Sequence, residues 1–511
     1  MREINLTKRA MRKKAVLWHV AGGWLSNLIH IVQGLLLIPL YIYYLGDRLY
    51  GFWLATGGIL AWISMVDFGA SAITLQRCAA AFGRKDFALI VQYFWHGAVI
   101  MYVMLILFLM SFLTVGFFIP SWLDIDPVFQ STIINCYYVT SVAVMLHLIN
   151  EFLKNVAVAL QRNHIPVFAQ TLGDLVCLFG VIFALVVLQI GLWALVLGML
   201  LRTFIPLVIN LIHTVQILRS IKCRNRWSVD IFKDYMMTTP VVCAAKASGQ
   251  FAQHLPSVLI ARFIGPEATV AYTITMRAVL MVQSFINHAL SGLYGACSHY
   301  FHDPSVGRNQ QLRTISQLAQ GYCIIAGLGT LLYALLNHGF VAVWTSDQYF
   351  GGQMFTCLAA LAAFIQVRNS FFVGLGISFG EIRATEFTQF LEQMLRICLI
   401  VLGIYSLGIL GVPIAILISG LATQYRYAHI FRSRDASIMK ALSPLMWQWG
   451  ALALLLWPIY NASDLFVVGD WTRFIAYAAC IIIPAAVLML LMLPGVRYTS
   501  LRSWILNYIP S

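Results

Sequence analysis

Pro39-Leu-Tyr-Ile-Tyr-Tyr-Leu-Gly-Asp-Arg-Leu-Tyr-Gly-Phe-Trp53 is the stretch on which the reading of this chain turns. Before it the chain is apolar back to residue 16, and after it the chain is apolar again to residue 76. A bilayer core takes about 20 apolar residues per helix, so each flank is long enough to cross it. Gly46-Asp47-Arg48 then reads as a tight break between two crossings, with Tyr41, Tyr43 and Tyr44 at head-group level. Working outward, apolar runs and short polar breaks alternate to the C-terminus. The expected spans are 16–45, 49–76, 89–119, 130–158, 166–190, 192–218, 235–264, 268–298, 312–337, 350–378, 385–407, 411–431, 445–461 and 472–493. The expectation is an all-α polytopic membrane protein with about fourteen transmembrane helices.

Composition agrees with this. Of 511 residues 60% are hydrophobic and 10% charged, against about 25% charged in a soluble domain. Mean hydropathy is +0.82. Lys and Arg number 33 against 19 Asp and Glu, a net charge of +14. With the N-terminus placed in the cytoplasm, about 25 of these cations fall in cytoplasmic tails and loops, while the other side keeps Arg48, Arg262 and Arg473. The excess is a topological signal and carries no implication of nucleic acid. Both termini are expected to be cytoplasmic. The basic N-terminus (Lys8, Arg9, Arg12, Lys13, Lys14) leads into a run without an A-x-A cleavage site, so the first helix is expected to be retained. Ten cysteines are scattered without a C-x-x-C pair, which points to neither a disulfide framework nor a zinc site.

Shifting the chain by 219 positions lays Tyr44-Leu45-Gly46-Asp47 on Phe263-Ile264-Gly265-Pro266, Asn150 on Asn369, Phe152 on Phe371 and Gln170 on Gln389. The first six and next six helices also follow the same order of lengths. The longest basic gap, residues 219–234, lies between the halves. The expected organisation is an N-lobe (1–218), an inter-lobe linker (219–234), a C-lobe (235–431) and an appended pair of helices with a cytoplasmic tail (432–511). A repeat without inversion implies parallel lobes related by an axis along the membrane normal, with a substrate site between them.

The stretch 39–53, followed by Met65-Val-Asp-Phe-Gly-Ala-Ser-Ala72 and Arg77-Cys-Ala-Ala-Ala-Phe-Gly-Arg-Lys-Asp86, resembles the first hairpin of the polysaccharide (O-antigen-type) flippases. These belong to the MATE-like, or MOP, transporter superfamily, with the multidrug exporters and the lipid II flippase. The resemblance implies a fold of two parallel six-helix lobes plus two helices. It also implies transport of undecaprenyl-pyrophosphate-linked oligosaccharides across the cytoplasmic (inner) membrane by alternating access, for cell-surface polysaccharide. The cavity would be walled by helices 1, 2, 7 and 8, and a polysaccharide polymerase and chain-length regulator would be partners. Glu267 and Thr269 stand where the repeat would have Arg48 and Tyr50.

Polar residues three or four apart share a helix face. Such stripes run through His19, Gly23, Ser26, His30 and Gln33; through Ser64, Asp67, Ser71 and Thr74; through Lys246, Gln250, Gln253 and Ser257, with His254 beside them; and through Thr273, Arg277, Ser284, His288 and Ser291. Any one hydroxyl among them is adequately explained as interhelical glue. Lys246 and Arg277 are not, because a cation at mid-helix costs at least about 2.5–3.5 kcal/mol. They are the candidate pyrophosphate-binding pair, Arg as a fork and Lys as a point charge. His19, Ser26, His30, Gln33, Ser71, Gln250, Gln253, His254, Ser284 and His288 are the candidate polar lining.

Asp67, Glu151, Asp174 and Glu392 also fall in apolar runs. Glu392 has Arg396 at i+4 and Glu151 has Lys154 at i+3, spacings that favour local ion pairs. Asp67 and Asp174 have no obvious partner in their own helices. These two, together with Glu151, for which the local pair is the favoured reading, are the gating or ion-coupling candidates. Pro39, Pro240 and Pro256 are candidate bend points. No phosphate loop, G-x-S-x-G or H-E-x-x-H is found, and His299 and His302 form an isolated loop pair. Neither a cofactor, a metal nor enzymatic activity is expected. The alternatives are an ion-coupled multidrug exporter of the same fold, against which the basic stripe argues, and a membrane glycan polymerase or acyltransferase, against which the short outer loops argue.

Overall fold

A computed structural model describes Leu25 and residues 28–64, 70–84, 86–160, 162, 164–221, 227–301, 307–462 and 470–491. His19, Ser26 and Asp67 lie outside these residues, and Lys246 and His288 are described only as backbone on their helices.

The helices are α1 (Leu28–Leu45), α2 (Asp47–Ser64), α3 (Ala70–Gly83), α4 (Phe87–Leu123), α5 (Pro127–Ala159), α6 (His164–Val186), α7 (Trp193–Ser220), α8 (Val229–Phe263), α9 (Pro266–Phe301), α10 (Arg308–Trp344), α11 (Gln353–Ser378), α12 (Ile382–Leu407), α13 (Gly411–Ala422), α14 (Gln424–Arg434), α15 (Ala436–Ala462) and α16 (Trp471–Leu491). They follow the expected spans in order. The span 49–76 carries α2 and α3, and the span 411–431 carries α13 and α14, which part at Thr423. There is no strand among the described residues, and nine of their stretches are long and apolar enough to cross a membrane. The chain is thus a multi-pass helical membrane protein. Helix α4 shows why lipid is its solvent: Tyr102, Met110, Phe117 and Phe118 are all more than half exposed, an apolar face that water would not tolerate.

Local chemistry sets the helix starts. Asp86 caps α4 by accepting from the Leu89 amide at 3.0 Å, and Ser228 caps α8 by accepting from Ile231 at 3.4 Å. Pro127 and Pro266 open α5 and α9, where a missing N–H costs nothing. The 219-residue offset recurs in the backbone. Gly46 (φ +73) and Gly265 (φ +138) both take positive φ at the turns that lead into α2 and α9, a conformation open to glycine and strained for other residues.

The chain divides into two compact units, Met1–Val270 and Ala271–Ser511. Helix α8 belongs by repeat to the second half and by packing to the first unit, where it lies along α2. Within the first unit α6 and α7 approach closely. A Cβ on Gly173 would meet Pro206 Cγ at 2.7 Å, and one on Gly198 would meet Val181 Cγ2 at 2.3 Å. Such small-residue contacts let membrane helices pack backbone to backbone. In the second unit Phe364, Phe371, Phe372, Tyr427 and Phe431 centre the core. There α12 and α13 meet at Gly403 and Gly411, where an added Cβ would clash with backbone.

Candidate functional site

The close packing of α6 on α7 sets Asp174 against Arg202, and α1 closes over both. Asp174 lies one turn after Gln170 on α6, and its side chain is fully buried. Arg202 Nε lies 2.9 Å from Asp174 Oδ1, and Gln170 Nε2 donates to the same oxygen at 3.0 Å. From α1, His30 Nε2 lies 3.3 Å from Asp174 Oδ2, and Gln33 Nε2 donates to the Asp174 carbonyl at 2.5 Å. The Arg202 guanidinium also touches His30 Nε2. Arg202 is nine residues into α7, about 14 Å at 1.5 Å per residue, so the pair sits deep in the hydrophobic layer.

The cluster is closed on one side and open on the other. Asp174 is inaccessible, whereas the Arg202 and His30 side chains are 41% and 36% exposed. His30 Nε2 faces two partners with opposite demands. It lies against the cationic Arg202 guanidinium and the anionic Asp174 carboxylate at once. Helix α5 adds Glu151 and Lys154, paired at 2.6 Å, and His147 within electrostatic range of Glu151, Asp174 and Arg202.

The structure thus brings together His30, Gln33 and Asp174 from the sequence candidates, with Glu151 on the neighbouring helix. Ser71 is buried on α3, and its hydroxyl has no hydrogen-bond partner among the described residues. Gln250 and His254 are half-buried on α8 and Gln253 is exposed. On α9, Arg277 and Ser284 are half-buried. Sequence reasoning missed Arg202 and Gln170 as members of the cluster. The signal existed, because Asp174 and Arg202 lie at similar depths on helices joined by the short turn 187–192.

A second polar knot lies in the second unit, and it is sealed. Arg368 is fully buried; its Nη1 donates to Gln424 Oε1 at 3.0 Å and its Nη2 to Asn369 Oδ1 at 3.0 Å. Asn369 Nδ2 donates to Glu392 Oε2 at 2.8 Å, and Glu392 pairs with Arg396 one turn on. Both members of that pair are at most 4% exposed. Asn150, the repeat counterpart of Asn369, accepts from Asn210 at 2.9 Å in the first unit. Among the described residues no three of His, Cys, Asp and Glu gather in a way that would hold a metal ion.

This fold is that of known membrane transporters. The structure is similar to the lipid II flippase MurJ in an inward closed conformation, with a TM-score of 0.62 and 10% identity over 88% of this chain and 98% of that one. It is similar to an outward-facing multidrug resistance MATE family transporter of the MOP superfamily, with a TM-score of 0.61 and 12% identity over 84% and 97%. A mutant of the Vibrio cholerae MATE transporter VcmN gives a TM-score of 0.58 and 14% identity over 84% and 99%. No curated protein matches the sequence. Residues 67–323 match a family described as polysaccharide biosynthesis protein, and the chain belongs to that family.

Proposed function

We propose that this protein is a flippase that carries a polyprenyl-pyrophosphate-linked oligosaccharide across the cytoplasmic membrane by alternating access. The observation that carries the reading is a conjunction: a polysaccharide-biosynthesis chain folded as a MATE-like transporter. A glycan built on a lipid carrier in the cytoplasm has a head group too polar to cross unaided. The two parallel lobes, 1–218 and 235–431, would present it first to one side of the membrane and then to the other. Both termini would lie in the cytoplasm, and the chain itself would catalyse no bond change.

Lys246 and Arg277 are the proposed pyrophosphate-binding residues. Their charge is expensive in lipid unless a cavity or an anion offsets it. The uncharged stripe residues would serve the glycan, which needs many hydrogen-bond partners and little charge. Asp174 with His30 and Arg202 is the proposed coupling centre, since a carboxylate beside a half-open histidine can exchange a proton with a water-filled cavity. A polymerase and a chain-length regulator would act on the product.

The test is deletion of the gene followed by assay of lipid-linked oligosaccharide on each face of the membrane. The expected result is accumulation on the cytoplasmic face, reversed by the parent protein and not by Lys246→Ala/Arg277→Ala present at equal level. Normal export in the deletion strain would overturn the reading. Normal export with the double variant would overturn the assignment of the two cations.

A further inference from the structure

The turns that join α1 to α2, α4 to α5 and α8 to α9 meet at one end of the first unit, and their charges are matched. Arg48 forks onto Asp126, with Nε 2.7 Å from Oδ2 and Nη2 donating to Oδ1 at 3.0 Å. Its Nε also lies 3.9 Å from Glu267 Oε1. Arg262 Nη1 lies 3.0 Å from Asp124 Oδ2. Glu267 stands 219 positions after Arg48, so equivalent sites of the two repeats carry opposite charges and face one another. Directly below, α2 is pressed against the start of α9 and the end of α8. A Cβ on Gly51 would fall 2.1 Å from the Pro266 carbonyl oxygen, and one on Gly58 would fall 3.2 Å from the His254 carbonyl oxygen.

We infer that Arg262–Asp124 and Arg48–Glu267, with Asp126 holding Arg48 in place, form a charge latch that ties the α8–α9 corner to the turns of the first repeat and breaks when the neighbouring α2–α8 seam opens. The departure of Glu267 from the repeat pattern then has a physical purpose. Two like charges at the equivalent positions would repel across the seam, and Arg facing Glu attracts. The side of the membrane argues the same way. Of the 33 cations, Arg48 and Arg262, at helix ends, are two of the three that the expected topology leaves on the side opposite the basic tails, where topology gives no reason for them. Weak pairs suit the role. Arg48 is 57% exposed and Asp124 84%, and pairs this open bias an equilibrium by roughly 1.5- to 5-fold each. A latch of that strength selects the closed seam and can be broken every cycle, whereas a buried pair would resist opening.

This inference rests on the transport reading, and its test is chosen to fail separately from it. His254, half-buried on α8 opposite Gly58, is replaced by cysteine as a reporter of the seam. Its labelling by a membrane-impermeant maleimide is measured on intact cells, with the signal of the ten native cysteines subtracted as baseline. Arg48→Gln/Arg262→Gln is expected to raise the labelling rate by roughly 2- to 20-fold, and Arg48→Lys/Arg262→Lys by less. Unchanged labelling in a glutamine variant that still elutes as a single species would overturn the latch. Should that variant not fold, the purified parent reporter decides. Raising salt from about 50 mM to 1 M, which shortens screening to about 3 Å, is expected to speed its labelling, and no response would overturn the latch. A latch that responds to charge and salt in a strain whose glycan export does not need the protein would leave the latch standing and the flippase reading refuted.

Discussion

Asp174 and Arg202 are a pair in which the carboxylate, unlike the guanidinium, has no access to solvent of its own. The carboxylate is fully buried and the guanidinium is 41% exposed, so removing Arg202 strands a charge in the interior while removing Asp174 leaves one that can turn outward. Arg202→Leu is therefore expected to cost at least about 2 kcal/mol of stability, and Asp174→Asn less. The double variant Asp174→Leu/Arg202→Leu should recover more than half of the Arg202→Leu loss. Thermal unfolding in detergent of the four proteins in the cycle measures this, and additive losses would mean that the two side chains do not act as a pair. Glu151 and Lys154 make the contrast. Both are near 30% exposed, and Glu151→Gln is expected to change stability by less than about 1 kcal/mol. The charges themselves were readable from sequence, because a charged residue in an apolar run is conspicuous. The local pairs Glu151–Lys154 and Glu392–Arg396 were readable too, because helix spacing alone brings them together. Asp174 with Arg202 was hinted at by their matching depths across the short turn 187–192, whereas His30 was not readable, since its contact depends on which helices touch.

At the scale of elements, what brings those helices together is the absence of side chains. Gly173 on α6 sits against Pro206 and the Arg202 carbonyl oxygen of α7. Gly173→Val is expected to force the helices apart, lowering stability by about 1–3 kcal/mol and disturbing the Asp174–Arg202 contact as well. Thermal unfolding checks the first effect, and loss of the non-additivity between Asp174 and Arg202 in the valine background checks the second. The same logic governs the second unit, where Gly420 of α13 supplies a carbonyl to Asn369 at 3.1 Å. Arg368→Met there leaves the Gln424 and Asn369 oxygens without their donor in a sealed interior. The expected loss is about 1–3 kcal/mol for each stranded group, measured by the same unfolding assay. The order of the elements was legible because unbroken apolar runs of membrane length mark them, although the breaks within 49–76 and 411–431 were not. The seams between elements were not. A glycine in an apolar helix reads the same whether it faces lipid or another backbone.

For the whole molecule, the proposed flipping of a charged head group would need a source of free energy wherever it runs uphill, and the sequence carries no phosphate-loop motif. The two polar knots divide the possibilities. Glu392 and Arg396 are at most 4% exposed and locked by Asn369 and Thr423, so they have no route for exchange and read as structure. Asp174 lies against His30 and Arg202, which are 36% and 41% exposed. Moving one elementary charge through 100 mV supplies about 2.3 kcal/mol, and about 1.4 kcal/mol is a factor of ten in an equilibrium. If protonation at this cluster drives the cycle, collapsing the proton gradient should cut glycan export by at least about tenfold. Asp174→Asn, which keeps the shape and loses the titrating group, should export at the collapsed-gradient rate whether or not the gradient is present. Export that is indifferent to the gradient in the parent, or an asparagine variant that still responds to it, would move the coupling away from Asp174. The measurement is made on cells with matched protein levels, because the asparagine variant also gives up part of the pairing with Arg202 and must be shown to be present before its rate is compared.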